Sequence, residues 1–251
     1  MPVVLSLLAH PDDAEFLCAG ALIRLKREHD FDVHIATMTA GDCGSIVHPA
    51  HEIARIRRAE NVHAAEHIGA HSWCLDEKDL LVFANERTLE KATRLLRLVR
   101  PDLILTHSPA DYMLDHEQTS AIVRGATFAA PIPNFLPGKG LGEPLPKIPY
   151  LYYYDPIEGK DALGREIEPG LRIDISSVID AKAEMLARHA SQREWLMKHH
   201  GMDQYVQAMR DWSAKRGQEL GVQFAEGFRQ HLGHSYPQND ELSRLLSQRS
   251  A

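Results

Sequence analysis

The sequence predicts an α/β fold: a mostly parallel, doubly wound sheet with helices on both faces, followed by a largely helical C-terminal extension. Three observations carry this expectation. Strand-like apolar runs recur at Val3–Ala9, Val33–Met38, His71–Leu75 and Asp102–Thr106. Segments of helical periodicity separate them, and such alternation implies βαβ units with parallel strands. The chain has 251 residues, 44% of them hydrophobic and 25% charged, which suits one large globular unit. A single domain over 1–251 is expected, with a doubly wound core (1–127), a Pro/Gly-rich loop (128–150) and added strands and helices (151–251).

The elements follow in order. The first run, VVLSLLA, reads as a buried strand, and Glu15, Phe16, Leu17, Ala19, Leu22, Ile23 and Leu25 then take helical spacing. A helix from about Glu52 to His67 is stopped by Gly69, and another from about Glu86 to Arg100 ends before Pro101. PIPNFLPGKGLGEPLPKIP, Pro131 to Pro149, forbids regular structure and reads as a long loop, a lid or subunit contact, with a plain surface excursion as the alternative. IPYLYYY and LRIDI read as two more strands, so that some of Tyr152, Tyr153 and Tyr154 line a pocket while the others pack. Ser177–Leu220 is mostly helical, with Trp195 and Trp212 as packing anchors and His199 and His200 at a solvated helix end.

Composition excludes several classes of function. A formal charge of -7 with no basic stripe argues against nucleic acid as a partner. Cys18, Cys43 and Cys74 form no CxxC pair, so a disulfide framework and a thiolate zinc site are unsupported and a reduced, cytoplasmic setting is expected. No apolar segment approaches the roughly 18 residues of a membrane span, and no charged n-region opens the chain. Membrane insertion and secretion are therefore not expected. The 15 histidines point, unspecifically, towards metal binding.

The chemistry concentrates in AHPDDAEF. The first strand delivers His10, Asp12 and Asp13 to its C-terminal end, the edge where open α/β sheets bind ligands. His10 and Asp13 can converge on one metal ion, and His116, beyond the parallel fourth strand, opens on the same edge as a third ligand. Such a site retains a position for water, whose pKa the ion lowers. Asp12, not needed as a ligand, is then placed to act as general base in amide hydrolysis. The bland alternatives are that Asp12 and Asp13 cap a helix, that His116 is solvated and that Asp115 is a cap. Asp42 is a candidate for contact with a ligand or the substrate, while Cys43 reads best as a small buried thiol.

AHPDDAEF, TAGD at Thr39–Asp42, IRRAE at Ile56–Glu60 and the Asp115–His116 pair resemble the motifs of the PIG-L/LmbE-like zinc-dependent N-acetylglucosaminyl deacetylases. KAEMLARHASQ (Lys182–Gln192) and FAEGF (Phe224–Phe228) echo that family's later segments. The resemblance implies a Rossmann-like fold, Zn2+ held by His10, Asp13 and His116, and Asp12 as general base. Iron, manganese or cobalt also suit such ligands. It further implies removal of an N-acyl group, acetyl foremost, from an amino sugar or its conjugate, in a homo-oligomer. Arg57 would contact polar substrate groups, with an i,i+3 pair to Glu60 as the alternative; Asp42 and Tyr112 are the other substrate-binding candidates. Asp115 is assigned a catalytic role through orientation of a catalytic His. One departure stands out: where the family usually has HPDH, this chain has Met113, Leu114, Asp115 and His116, so the His that serves the oxyanion is missing. Tyr112, His231 and His234 are candidate substitutes. A metal-retaining, sugar-binding or regulatory protein with little turnover is the competing reading. A nucleotide-binding role is disfavoured by the lack of GxGxxG after the first strand.

Overall fold

A computed structural model describes residues 1–192 and 204–247. A seven-stranded sheet in the order β3-β2-β1-β4-β5-β7-β6 forms its centre. The strands are β1 (Val3–Leu8), β2 (Asp32–Thr39), β3 (His71–Glu77), β4 (Leu103–Thr106), β5 (Tyr150–Tyr154), β6 (Leu171–Asp174) and β7 (Ala225–Gln230). β1 to β5 are mutually parallel, and β7 runs antiparallel between β5 and β6. The helices are α1 (Asp13–Leu17), α2 (Ala19–His29), α3 (Ala50–His67), α4 (Glu86–Val99), α5 (Leu114–Ala129), α6 (Ile179–Leu186), α7 (Gln204–Leu220) and α8 (Glu241–Leu246). One core packs α1, α2, α6 and α8 against one sheet face, and α4 and α5 cover the other. The expected α/β architecture, Rossmann-like with a mostly parallel sheet and helices on both faces, is what forms. No helix among the described residues is long and apolar enough to cross a membrane.

Three local departures have physical causes. The helix expected to run on from Glu15 is broken at Cys18, and the amides of Gly20 and Ala21 freed by the break are taken by the Glu226 carboxylate on β7. The carboxylate sits so close that a Cβ at Gly20 would lie 2.8 Å from Glu226 Oε1 and 2.6 Å from Ile175. FAEGF, unremarkable as a strand, opens β7, which pairs with β6 through Ala225 to Phe228 and with β5 through Phe228 to Gln230. Tyr152, Tyr153 and Tyr154 are all buried, and their phenols bond Asp240, His231 and His107 respectively, so none of them lines the main cavity.

The Pro/Gly-rich segment is irregular, as expected, and it is not a lid. It joins the end of α5 to the start of β5, at the edge of the sheet opposite the strand C-termini. There the buried Arg97 holds the carbonyls of Ala130, Ile132 and Gly142, and Arg94 those of Lys139 and Gly140. Trp212 packs against Arg216 and over Gly159, as an anchor should. Trp195, His199 and His200 lie outside the described residues.

Candidate metal centre

Strand order reverses between β1 and β4, and the crevice beyond their C-terminal ends is where such sheets take ligands. A cavity of roughly 370 Å³ opens there, lined by His10, Asp12, Asp13, Arg57, Met113 and His116 among others. β1 delivers the first three of these, and the turn after β4 with the first residues of α5 delivers Met113 and His116. Ligand-capable atoms of His10, Asp13 and His116 lie within 4.8 Å of one another, and all three residues are buried.

Neighbouring carboxylates settle which imidazole nitrogens face the centre. Asp111 Oδ1 lies 3.0 Å from His116 Nδ1, which leaves Nε2 of that ring towards Asp13, at 3.6 Å. Asp115 Oδ2 lies 3.2 Å from His10 Nε2, which leaves Nδ1 of His10 towards Asp13, at 3.5 Å. This is how second carboxylates orient metal-binding histidines. Asp115 thus acts on a candidate ligand, His10, and also accepts the Leu80 amide at 2.7 Å. Asp111 was not anticipated from sequence, although it stands only five residues before His116.

The donor set fits a divalent cation. His10 is surrounded by Asp13, Asp79 and Asp115. Burial works against a charged ring, yet the hydrogen bonds to Asp115 and Asp13 outweigh it and hold His10 up to about 10. The Nδ1 proton is the one a metal would replace. Asp79 Oδ1, Asp111 Oδ2 and Asp115 Oδ1 are buried and meet no hydrogen-bond donor among the described residues, so the carboxylates there outnumber the described donors that answer them. Asp13 does not cap α1 with its side chain; its Oδ2 accepts the His10 amide instead, at 2.8 Å.

Two other His/carboxylate groupings are excluded by their donors. His107 is buried and stacks on His116 at 3.9 Å, but its Nε2 accepts the Ala9 amide and its Nδ1 meets the Tyr154 phenol. Burial lowers it to about 4, so it stays neutral and structural. In the Asp32, His34 and His71 group, the Trp73 indole, which can only donate, bonds His34 Nδ1 at 2.9 Å. The His34 proton therefore sits on Nε2, beside Asp32, and blocks that nitrogen from a metal.

Asp12 stands apart from the ligands. Its backbone has φ 91, a left-handed conformation costly for a non-glycine residue, and its side chain caps nothing. Arg57 Nη2 (3.2 Å) and the Tyr205 phenol on α7 (2.6 Å) both donate to Asp12 Oδ2, and no donor among the described residues meets Oδ1. Burial pushes the carboxyl up, against the pull of Arg57. Arg57 also holds the Pro11 carbonyl at 2.7 Å, while Glu60 bonds Ser191, so the i,i+3 pair does not form. The turn after β2 makes room for the guanidinium. A Cβ at Gly41, whose φ is +75, would lie 2.4 Å from Arg57 Nη1. Tyr205 lies 193 residues from Asp12 and carried no local signal.

The remaining candidates divide. Tyr112 lines the cavity, half exposed and edge-on to the His116 ring at 5.4 Å. Asp42 does not line it; its carboxylate accepts the Asp79 amide at 2.8 Å and so fixes the loop after β3. Cys43 lines the cavity and is exposed rather than buried. His231 is engaged by Tyr153 and Tyr236, and His234 is exposed; neither lines the cavity.

Comparison with known proteins places the chain among others of this fold. The family described as PIG-L, GlcNAc-PI de-N-acetylase, matches residues 5–127, which include every proposed metal ligand. A 4-oxalmesaconate hydratase of Pseudomonas putida is 27% identical over 218 residues, covering 82% of this chain and 81% of the relative. Two solved structures share the fold. The N,N'-diacetylchitobiose deacetylase of Pyrococcus horikoshii has a TM-score of 0.77 at 23% identity, over 94% of this chain and 86% of that one. A 4-carboxy-2-hydroxymuconate hydratase of Pseudomonas putida has a TM-score of 0.75 at 22% identity, over 96% of this chain and 100% of that one.

Proposed function

The chain carries a PIG-L family domain over residues 5–127, and from that premise we propose that it is a zinc-dependent N-deacylase of an amino sugar or its conjugate, with acetyl as the foremost acyl group. The observation that carries the reading is Asp12: a partly buried carboxylate beside three candidate metal donors, clamped through one oxygen with the other left for chemistry. A bound metal supplies Lewis acidity towards water and the amide carbonyl. Asp12 Oδ1 takes the proton of the attacking water and returns it to the leaving amine. Arg57 and Tyr205 hold that carboxylate through Oδ2 while it does so. With Met113 at the N-cap of α5, the adjacent Tyr112, which lines the cavity, is assigned the phenol that meets the developing oxyanion.

A second reading, hydration of an unsaturated carboxylate, is favoured by the 27% identical hydratase. Against it, a substrate with several carboxylates needs several cations. Arg57 is the one guanidinium among the described lining residues, already bonded to Asp12, and Asp12, Asp13 and Asp79 line the same cavity. The deciding experiment measures acetate release from N-acetylglucosamine conjugates by zinc-loaded protein, beside Asp12→Asn at equal metal content. Release falling by about 10²–10⁴ in the variant is expected. Hydration of unsaturated carboxylates without any acetate release would assign the second reading.

A further inference from the structure

The cavity has an apolar wall built directly onto the metal-binding histidines. Leu80, in the loop after β3, donates its amide to the same Asp115 oxygen that meets His10 Nε2. Tyr112 and Met113 come from the turn ahead of α5, where the Met113 carbonyl accepts the His116 amide at 3.1 Å. All three side chains line the cavity. Leu80 is the informative one. It is held at φ 64, a left-handed conformation that glycine or asparagine adopts far more readily, yet it is a leucine and 61% of it is exposed. The amide bond to Asp115 fixes its backbone, but an exposed leucine side chain gains nothing from the core, so its apolar surface is not repaid by folding. Leu81 and Phe83, also exposed, follow it in the same loop. Strain at a ligand cavity is where a function is to be sought.

We propose that Leu80, Tyr112 and Met113 form a subsite for an apolar group, aryl or branched alkyl, attached next to the scissile amide. The proposal rests on the deacylase reading above and narrows its substrates. Hydroxyl-rich surface would leave water-bonding groups against this wall, whereas an apolar group gains by leaving water there. The group can arrive on the acyl side or on the amine side of the amide, and the two sources are separable by experiment.

The test is calorimetric binding of three metal-directed probes, acetohydroxamate, benzohydroxamate and 4-carboxybenzohydroxamate, to the zinc-loaded full chain. Benzohydroxamate is expected to bind about tenfold or more tightly than acetohydroxamate. In Leu80→Asn and Leu80→Gly, both compatible with a left-handed backbone, that ratio should fall towards one with metal content unchanged. Equal affinities in the parent protein would overturn the proposal, as would tighter binding of the carboxylated probe. Comparing hydrolysis of an N-benzoyl amine with that of an N-acetyl arylamine then places the group on one side. If the aryl preference in binding holds and no amide is cleaved, the deacylase reading falls and the subsite stands.

Discussion

Two buried charge clusters in this molecule are built on opposite plans. On one face of the sheet, Glu226 of β7 accepts the amides of Gly20 and Ala21 and the Lys182 ammonium at 2.6 Å, with both oxygens used and the charges matched. At the strand C-termini, His10 faces three carboxylates, and among the described residues Asp79, Asp111 and Asp115 each keep one oxygen that no donor meets. Both clusters are almost fully buried, so burial alone does not distinguish them. Saturation does. The first is complete and caps a helix; the second leaves carboxylate oxygens unanswered among the described residues, as the proposed metal site requires. Of these two, the closed network serves the fold and the open one borders the cavity.

The largest effect should come from opening the closed cluster. Glu226→Ala strands the Lys182 charge and uncaps α2, and urea unfolding should show a loss of about 3–5 kcal/mol with little change in metal per folded molecule. An unchanged midpoint would make the two clusters equivalent. Closing the open cluster is next. Zinc at about a hundred times its Kd should stabilise the protein by about 2.7 kcal/mol, reversed by chelator and absent in Asp13→Ala. The same contrast has a pH signature. Without metal, His10 is held at about 10, above its ordinary 6.5. Its stabilisation is therefore fully present below pH 6.5 and is lost as pH rises towards 10. Metal-free protein should show that loss in its unfolding midpoint, and zinc-loaded protein should not.

Asp115→Asn keeps the shape but weakens the hold on His10, and metal affinity should drop about 10–100-fold. Full affinity would return Asp115 to a role in substrate chemistry. The smallest effect is sought at Tyr205→Phe, which removes one of the two clamps on Asp12. kcat should fall about fivefold, near 1 kcal/mol, with KM and metal content unchanged. A matching loss in an Asp12→Asn background would show that Tyr205 acts elsewhere.

The contrast also explains what could be read from the sequence. His10, Asp12, Asp13 and His116 are legible because apolar strands of recognisable length present them at one edge. Arg57 was found through the IRRAE segment, although its partner is Asp12 and not Glu60. Asp111, Asp79 and Leu80 could not be found this way, since each matters through an atom it meets across space rather than through its spacing. Tyr205 and Ser191 reach the first half of the chain from far along the sequence, where helical periodicity reports only that a helix exists. Lys182 and Glu226 sit in the two later segments that resembled the family, and only the fold shows them to be one ion pair. For the Pro/Gly loop the sequence leaves a lid, a subunit contact and a surface excursion open, because composition reveals irregular backbone and says nothing of the sheet edge on which it lies.

The strand order has a further consequence during synthesis. β4, all of whose residues are buried, lies between β1 and β5, and β5 follows it by roughly forty residues of helix and loop. At ordinary ribosomal speeds the nascent chain therefore presents the open edge of Leu103–Thr106 for on the order of seconds before its neighbour emerges. That bare apolar edge makes the truncated first half prone to edge-to-edge aggregation.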